Sequence, residues 1–316
     1  GAVMYVVFGK IPDSVTDIYN KIKDEDDMLE AALDLPVTDL FAVVNECYQI
    51  KSGKTDDIIK QEVSEVFVKP DGTPLTFRDM AKADSYLDLQ INNLIEAVEA
   101  YVSQVGEYVK PEVKALLEGW LIRDLYSLDK WKSIELSELF DIVNSYKADL
   151  IKTEVYTAFG SKTIGDMIKV ETYKQLMIND LLPIINAYAN KEIITDEIKA
   201  VFEDWMVSDL WNVEKLKSIE LSKLFDIVNS YKADLIKNSI YEAIGGNTIG
   251  QMLELETYKA ITLNSLMNIV YDYTKLEENQ LITDFLSDVT IGDLANADTY
   301  DRFLLSDALR IVNSYK

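Results

Sequence analysis

The chain has 316 residues, 48% of them apolar, and its 31 basic against 55 acidic residues give a formal net charge of -24. That length admits two ordinary domains or one extended repeat array, and the apolar content argues against disorder. A surface of that sign repels nucleic-acid phosphates and anionic lipid, so neither is an expected partner.

There is no histidine and a single cysteine, Cys47. Ser-His-Asp and Cys-His catalysis, the usual zinc sites and an internal disulfide are thereby removed. No apolar run reaches the ~18 residues of a membrane-spanning helix, so no membrane insertion is expected. Residues 1–4 lack the basic flank and apolar core of a signal peptide. The pattern ends at Tyr315-Lys316. Both ends fit a piece excised from a longer chain.

Self-comparison organises the rest. IELSELFDIVNSYKADLIK at 134–152 recurs at 219–237 with one change, Glu138 against Lys223, at an offset of 85 residues. Inside that block lies an older repeat of half the size. Its anchors are Thr163-Ile164-Gly165-Asp166-Met167, Thr248-Ile249-Gly250-Gln251-Met252 and Thr290-Ile291-Gly292-Asp293-Leu294. Weaker anchors are Asp17-Ile18, Asp79-Met80, Asp124-Leu125 and Asp209-Leu210.

Downstream of each anchor a small polar residue opens an apolar run: Thr38, Asn92, Ser137, Asn179, Ser222, Asn264 and Ser306. Nine residues further stands Cys47, Tyr101, Tyr146, Tyr188, Tyr231, Tyr273 or Tyr315. Seven units are expected: 1–61 (irregular), 62–111, 112–153, 154–196, 197–238, 239–280 and 281–316.

Each unit reads as helical. A first helix, such as Glu112–Leu117 or Glu197–Phe202, precedes the anchor. In the anchor, threonine caps a short helix and the aspartate reaches back to the threonine N–H. The glycine at 165, 250 and 292 marks close approach of a neighbouring backbone, with Arg123 and Ser208 replacing it elsewhere. A linking segment such as Glu171-Thr172-Tyr173-Lys174 leads to the longest helix, started by the small polar residue. Apolar spacings of three and four give that helix one buried face. Its tyrosine is expected to bury the ring and bond through the hydroxyl. Asn144, Asn186, Asn229 and Asn313 are expected to bond a turn or a neighbouring unit. Pro183 falls inside a long helix, where it tightens or kinks a turn.

The first 75 residues are the least regular. They insert the acidic run Asp24-Glu25-Asp26-Asp27, and Phe67–Pro74 reads as a turn or small hairpin.

No catalytic, cofactor-binding or metal-ligating set emerges, and no cofactor is implied. The departures from the pattern are Cys47, the acidic run at 24–27, Arg78, Gln251 and Trp205. Cys47 reads as an inert buried thiol. The acidic run lacks the spacing of a helix-loop-helix calcium site. Trp120, Trp131, Trp205 and Trp211 allow a binding stripe, but Trp131 aligns with Tyr173, Tyr258 and Tyr300, which favours packing.

The expected architecture is all-α: tandem helical repeats of about 42 residues stacked as an elongated, solenoid-like array. The expected function is a non-catalytic structural or protein-interaction module of a larger bacterial protein, displayed at the cell surface rather than in the cytoplasm. Its partner would be a protein or a neighbouring domain of the parent chain. The alternatives are an intracellular solenoid gripping a peptide, and a carbohydrate-active enzyme using clustered carboxylates.

Overall fold

The computed structural model describes Tyr5, Val7 and residues 9–102, 108–189, 191–274 and 276–315; residues 1–4 and Lys316, on which the reading of the chain ends rests, lie outside them. The described chain is mostly helical and contains no strand. None of its helices is long and apolar enough to cross a membrane. It divides into two compact lobes, Gly1–Ile151 with Phe159–Ile168 and Lys152–Ala158 with Lys169–Lys316.

In the first lobe each long helix packs on the short helix tied to it. Asp13–Ile22 lies on Val37–Ser52, Gln61–Val66 on Ile91–Val102, and Pro111–Leu116 on Leu136–Tyr146. The second lobe repeats the scheme with Asp196–Val201 on Leu221–Tyr231 and Gln280–Leu286 against Leu263–Tyr273. The long helices follow their apolar spacing. Leu139, Phe140, Ile142 and Val143 turn inward while Glu138 and Asp141 stay exposed. Pro183 is accommodated inside the helix Ile178–Ala189.

Of the seven isolated antiparallel bridges among the described residues, one, Val68–Pro74, lies within a hairpin and six punctuate the helices: Pro36–Thr76, Gln90–Leu121, Glu135–Thr163, Met177–Met206, Glu220–Thr248 and Thr262–Thr290. Each of the six joins the residue before a long helix to the residue that opens the next anchor. Two backbone bonds close each of these bridges, such as Ile178 N–H to Trp205 O at 2.9 Å and Val207 N–H to Leu176 O at 2.9 Å. The residues flanking the bridges form much of the core. Leu35, Leu75, Leu89, Trp120, Ile134, Leu176, Trp205 and Val289 are all buried.

The anchors fold as the sequence predicts. Asp166 N–H donates to Thr163 Oγ1 at 3.1 Å, and Thr163 N–H donates to Asp166 Oδ2 at 3.2 Å. Thr290–Asp293 and Thr76–Asp79 are built alike. Gln251 does the aspartate's work through its amide oxygen, 2.8 Å from Thr248 N. Where leucine or methionine replaces threonine, only the carboxylate half survives, from Asp124 to Leu121 N–H and from Asp209 to Met206 N–H, both 2.9 Å. Asp17 differs: it sits inside the helix Asp13–Ile22 rather than at a cap.

Asp79 also takes an ion pair from Lys69 at 2.9 Å. That bond, followed by the Thr76 N–H, lowers its pKa to about 2. An aspartate held below its unfolded value of about 3.9 stabilises the fold above that pH and loses the contribution as pH falls toward 2. Asp79→Asn should therefore flatten the fall of melting temperature between pH 4 and 2. A slope equal to that of the parent chain would contradict this.

The glycine positions are tight, as the sequence reading requires. A Cβ on Gly165 would stand 3.0 Å from Lys132 O, and on Gly250 or Gly292 it would stand 3.1 Å from the Cβ of Lys217 or Lys259. Where arginine takes the position, the surroundings are acidic. Arg78 pairs with Asp34 at 2.7 Å and Glu30 at 2.6 Å, and Arg123 pairs with Asp88.

Four details depart from the sequence reading. The linking segments are themselves short helices, Val170–Lys174 being one of them. The small polar residues are second in the long helices, two steps past the cap, because the bridge residue occupies the cap position. Asn92 and Asn179 instead donate outward, to Lys114 O at 2.8 Å and Lys199 O at 2.9 Å. The tyrosine rings are 47–66% exposed rather than buried. The fourth departure is an addition: Asn45 belongs with the recurrent asparagines.

Those asparagines and tyrosines hold loops. Asn45 brackets the Ile59 peptide, donating to its O at 2.8 Å and accepting its N–H at 2.7 Å. Asn144 does the same to Ile151, Asn186 to Ile194 and Asn229 to Ile236. A tyrosine from the following long helix holds three of these loops. Tyr101 OH donates to Ile58 O and accepts Lys60 N–H. Tyr231 OH donates to Ile193 O. Tyr273 OH donates to Leu235 O at 2.7 Å and accepts Lys237 N–H at 2.9 Å. The predicted turn at Phe67–Pro74 is a small hairpin, with Lys69 N–H to Thr73 O at 2.8 Å and Gly72 at φ 84°.

Candidate interaction surface

The short linking helices carry a second regularity, on their outer side. A cap residue such as Ser127 or Asn212 starts the helix, its side chain accepting Lys130 N–H or the N–H groups of Glu214 and Lys215. The residues on either side of that cap are large and apolar: Tyr126 and Leu128, Ile168 and Val170, Trp211 and Val213, Leu253 and Leu255. All eight are 59–81% exposed. Alanine takes both places at Ala81 and Ala83, and again at Ala295 and Ala297. Scattered exposed apolar residues are ordinary, but the same exposed pair at a fixed interval is not.

An exposed carboxylate follows each pair: Asp129, Glu171, Glu214 and Glu256. In the first turn of a helix it also faces the positive end of the dipole. Three of them make exposed ion pairs one turn on, Glu171–Lys174 at 2.7 Å, Glu214–Lys217 at 3.1 Å and Glu256–Lys259 at 2.7 Å. Such pairs stabilise little.

Two of these sites, both in the second lobe, border one groove. It has a volume of about 540 Å³ and is lined by Glu214, Lys217, Thr248, Gln251, Leu253 and Glu254, among others. The close approach of Gly250 to Lys217 sets its floor. The groove therefore offers leucine and carboxylate together, between the linking helix Val213–Lys217 and the next anchor.

No protein-family model, curated protein or solved structure matches this chain.

The residues singled out by sequence scatter over the molecule. Trp120 and Trp205 are buried, each with a lysine ammonium over its face: Lys130 at 5.4 Å and Lys215 at 5.2 Å. Trp131 donates Nε1–H to Leu125 O at 3.0 Å, as Tyr86 and Tyr300 donate their hydroxyls to Met80 O and Leu294 O. That is the packing role its alignment implied. Trp211 is exposed and belongs to the apolar pairs. Arg78 and Gln251 belong to anchors.

Cys47 is half-buried rather than buried, and burial followed by the neighbouring Glu46 raises its pKa, which disfavours thiolate. In the acidic run, Asp27 caps the helix Met28–Leu33 by accepting Leu29 and Glu30 N–H. Among the described residues no group of three carboxylates or cysteines is placed to hold a metal ion.

A polar cavity of about 530 Å³ gathers Asp226, Asp234, Asp272, Asn229 and Tyr241. Tyr241 donates to Asp226 Oδ1 at 2.8 Å and accepts from Asn229 at 3.2 Å. Burial, then Asp226, push its pKa up, so the phenol stays a donor. The cavity is organised around the Asn229 loop bracket.

Sequence reasoning missed the apolar pairs. Their signal was present as a fixed spacing, but spacing alone does not separate an exposed apolar residue from a core one.

Proposed function

We propose that the chain is a non-catalytic structural and protein-interaction module, a tandem, solenoid-like array of about seven helical units from a larger bacterial surface protein. The observation that carries this reading is the recurrence of one connection. Six bridges, each between the start of a long helix and the next anchor, occur at the spacing of the sequence repeat. Connections of that kind make stability a sum of units and nearest-neighbour interfaces. Such an array can change length without loss of fold, as the near-identical 85-residue duplication implies. Length that varies freely suits a spacer carrying a repeated contact surface.

Excision of residues 154–238 tests this. Thr153 would then precede Ser239, and Glu135 would meet Thr248 in place of Thr163. The shortened chain should keep its helicity per residue and unfold cooperatively, and solution scattering should show a shorter maximum dimension. A shortened chain that is unfolded at room temperature would sink the interchangeable-unit reading.

A further inference from the structure

We infer that the exposed apolar pairs of two second-lobe linking helices, Trp211 with Val213 and Leu253 with Leu255, form a docking surface for a cationic amphipathic segment of a partner protein. This deepens the interaction-module reading and rests on it. The pairs are not core residues, because each is more than half exposed. Nor are they casual, because such pairs flank the cap position in four successive linking helices and shrink to alanine in the linking helices before and after those four. Burying such side chains against a partner removes their apolar surface from water and favours binding.

Charge selects the occupant. Glu214, Glu254 and Glu256 stand exposed around Trp211, Val213, Leu253 and Leu255. The whole chain carries -24, so a second copy would bring like charge to like. A segment with apolar residues on one face and lysine or arginine beside them matches both features. Its apolar side chains would sit by Leu253, and its cations would meet Glu214 and Glu254 in the groove. Repetition of the site multiplies binding to a partner that repeats its own segment.

The test uses the full chain and three synthetic peptides of one helical pattern: leucine/lysine, leucine/glutamate and serine/lysine. The leucine/lysine peptide should bind, the leucine/glutamate peptide should not, and the serine/lysine peptide should bind only weakly. Combined Trp211→Ser, Val213→Ser, Leu253→Ser and Leu255→Ser should weaken the leucine/lysine complex at least tenfold and leave the serine/lysine one unchanged. Circular dichroism checks that the variant is folded. Should it unfold, Glu214→Gln with Glu254→Gln and Glu256→Gln replaces it, and the same peptide should then bind several-fold more weakly.

Equal affinity of a folded variant and the parent chain overturns the inference. So does concentration-dependent self-association that the serine variant abolishes, which would make a second copy the occupant. Either result leaves the excision experiment untouched, so failure of the surface is distinguishable from failure of the array.

Discussion

Trp205→Ala will be among the most destabilising single substitutions in this chain, costing ~3–5 kcal/mol. The indole is 6% exposed, stands edge-on to Phe202 at 5.3 Å between centroids, and lies under the Lys215 ammonium at 5.2 Å. Its own backbone carbonyl accepts Ile178 N–H, so the emptied space would lie directly beside a bridge. Trp205→Leu should recover a good share of the loss. Leu75 and Val289 precede the second bridge residue elsewhere and are buried at 3% and 4%. Where this position is buried it holds apolar volume, not always an indole; Lys162 and Asn247 stand there at two other bridges. Urea unfolding followed by circular dichroism decides it. A loss below ~1 kcal/mol for the alanine variant would show that neighbouring side chains close the space. Lys215 adds a control. It pairs with Asp209 at 2.6 Å, a bond that lowers the Asp209 pKa. Lys215→Met keeps the stem on the ring while removing the charge, and should cost far less than loss of the indole.

What the sequence made legible follows from the range over which each interaction acts. The anchors were readable because a capping box is local: Thr163 and Asp166 are three residues apart and need nothing else. Close approach at Gly165 was readable because only a missing side chain explains glycine inside a helix. The bridges were not. Glu135 and Thr163 each contribute one residue in extended conformation, too short for alternation, and their partner is set by packing far along the chain. The small polar residues stand two past the cap for the same reason, since the bridge residue already holds the cap position. The tyrosines showed another limit. A ring that closes an apolar stripe in sequence lies at its edge in space, and its hydroxyl spans to the preceding loop instead of sinking inward. Asn45 was hidden because Cys47 broke the Asn-x-Tyr pattern used to find its relatives.

The bracketing asparagines give the other large effect. Asn229→Ala removes both bonds to the Ile236 peptide, 2.9 Å and 2.8 Å, and leaves a partly buried N–H and carbonyl without their partner. At about 1 kcal/mol per bond, plus desolvation of the orphaned groups, the expected cost is ~2–3 kcal/mol. The loop that would be released holds Asp234 at φ 56°, a left-handed conformation that a non-glycine residue adopts at some cost. Tyr273 grips the same loop from the other side, at Leu235 O and Lys237 N–H. Its grip should hold the loop near its place while the amide of Ile236 loses protection in hydrogen exchange. Asn229→Asp separates the two bonds. A carboxylate still accepts Ile236 N–H, but it faces the Ile236 carbonyl and shares its surroundings with Asp226 through Tyr241. Those neighbours raise its folded pKa, so the variant is penalised at neutral pH and recovers as pH falls and the carboxyl gains a proton to donate. Melting temperatures of Asn229→Asp and the parent chain should converge on acidification from pH 7 toward 4. Parallel curves across that range would mean that the introduced carboxyl titrates alike in the folded and unfolded chain, and so that neither the Ile236 carbonyl nor Asp226 bears on position 229.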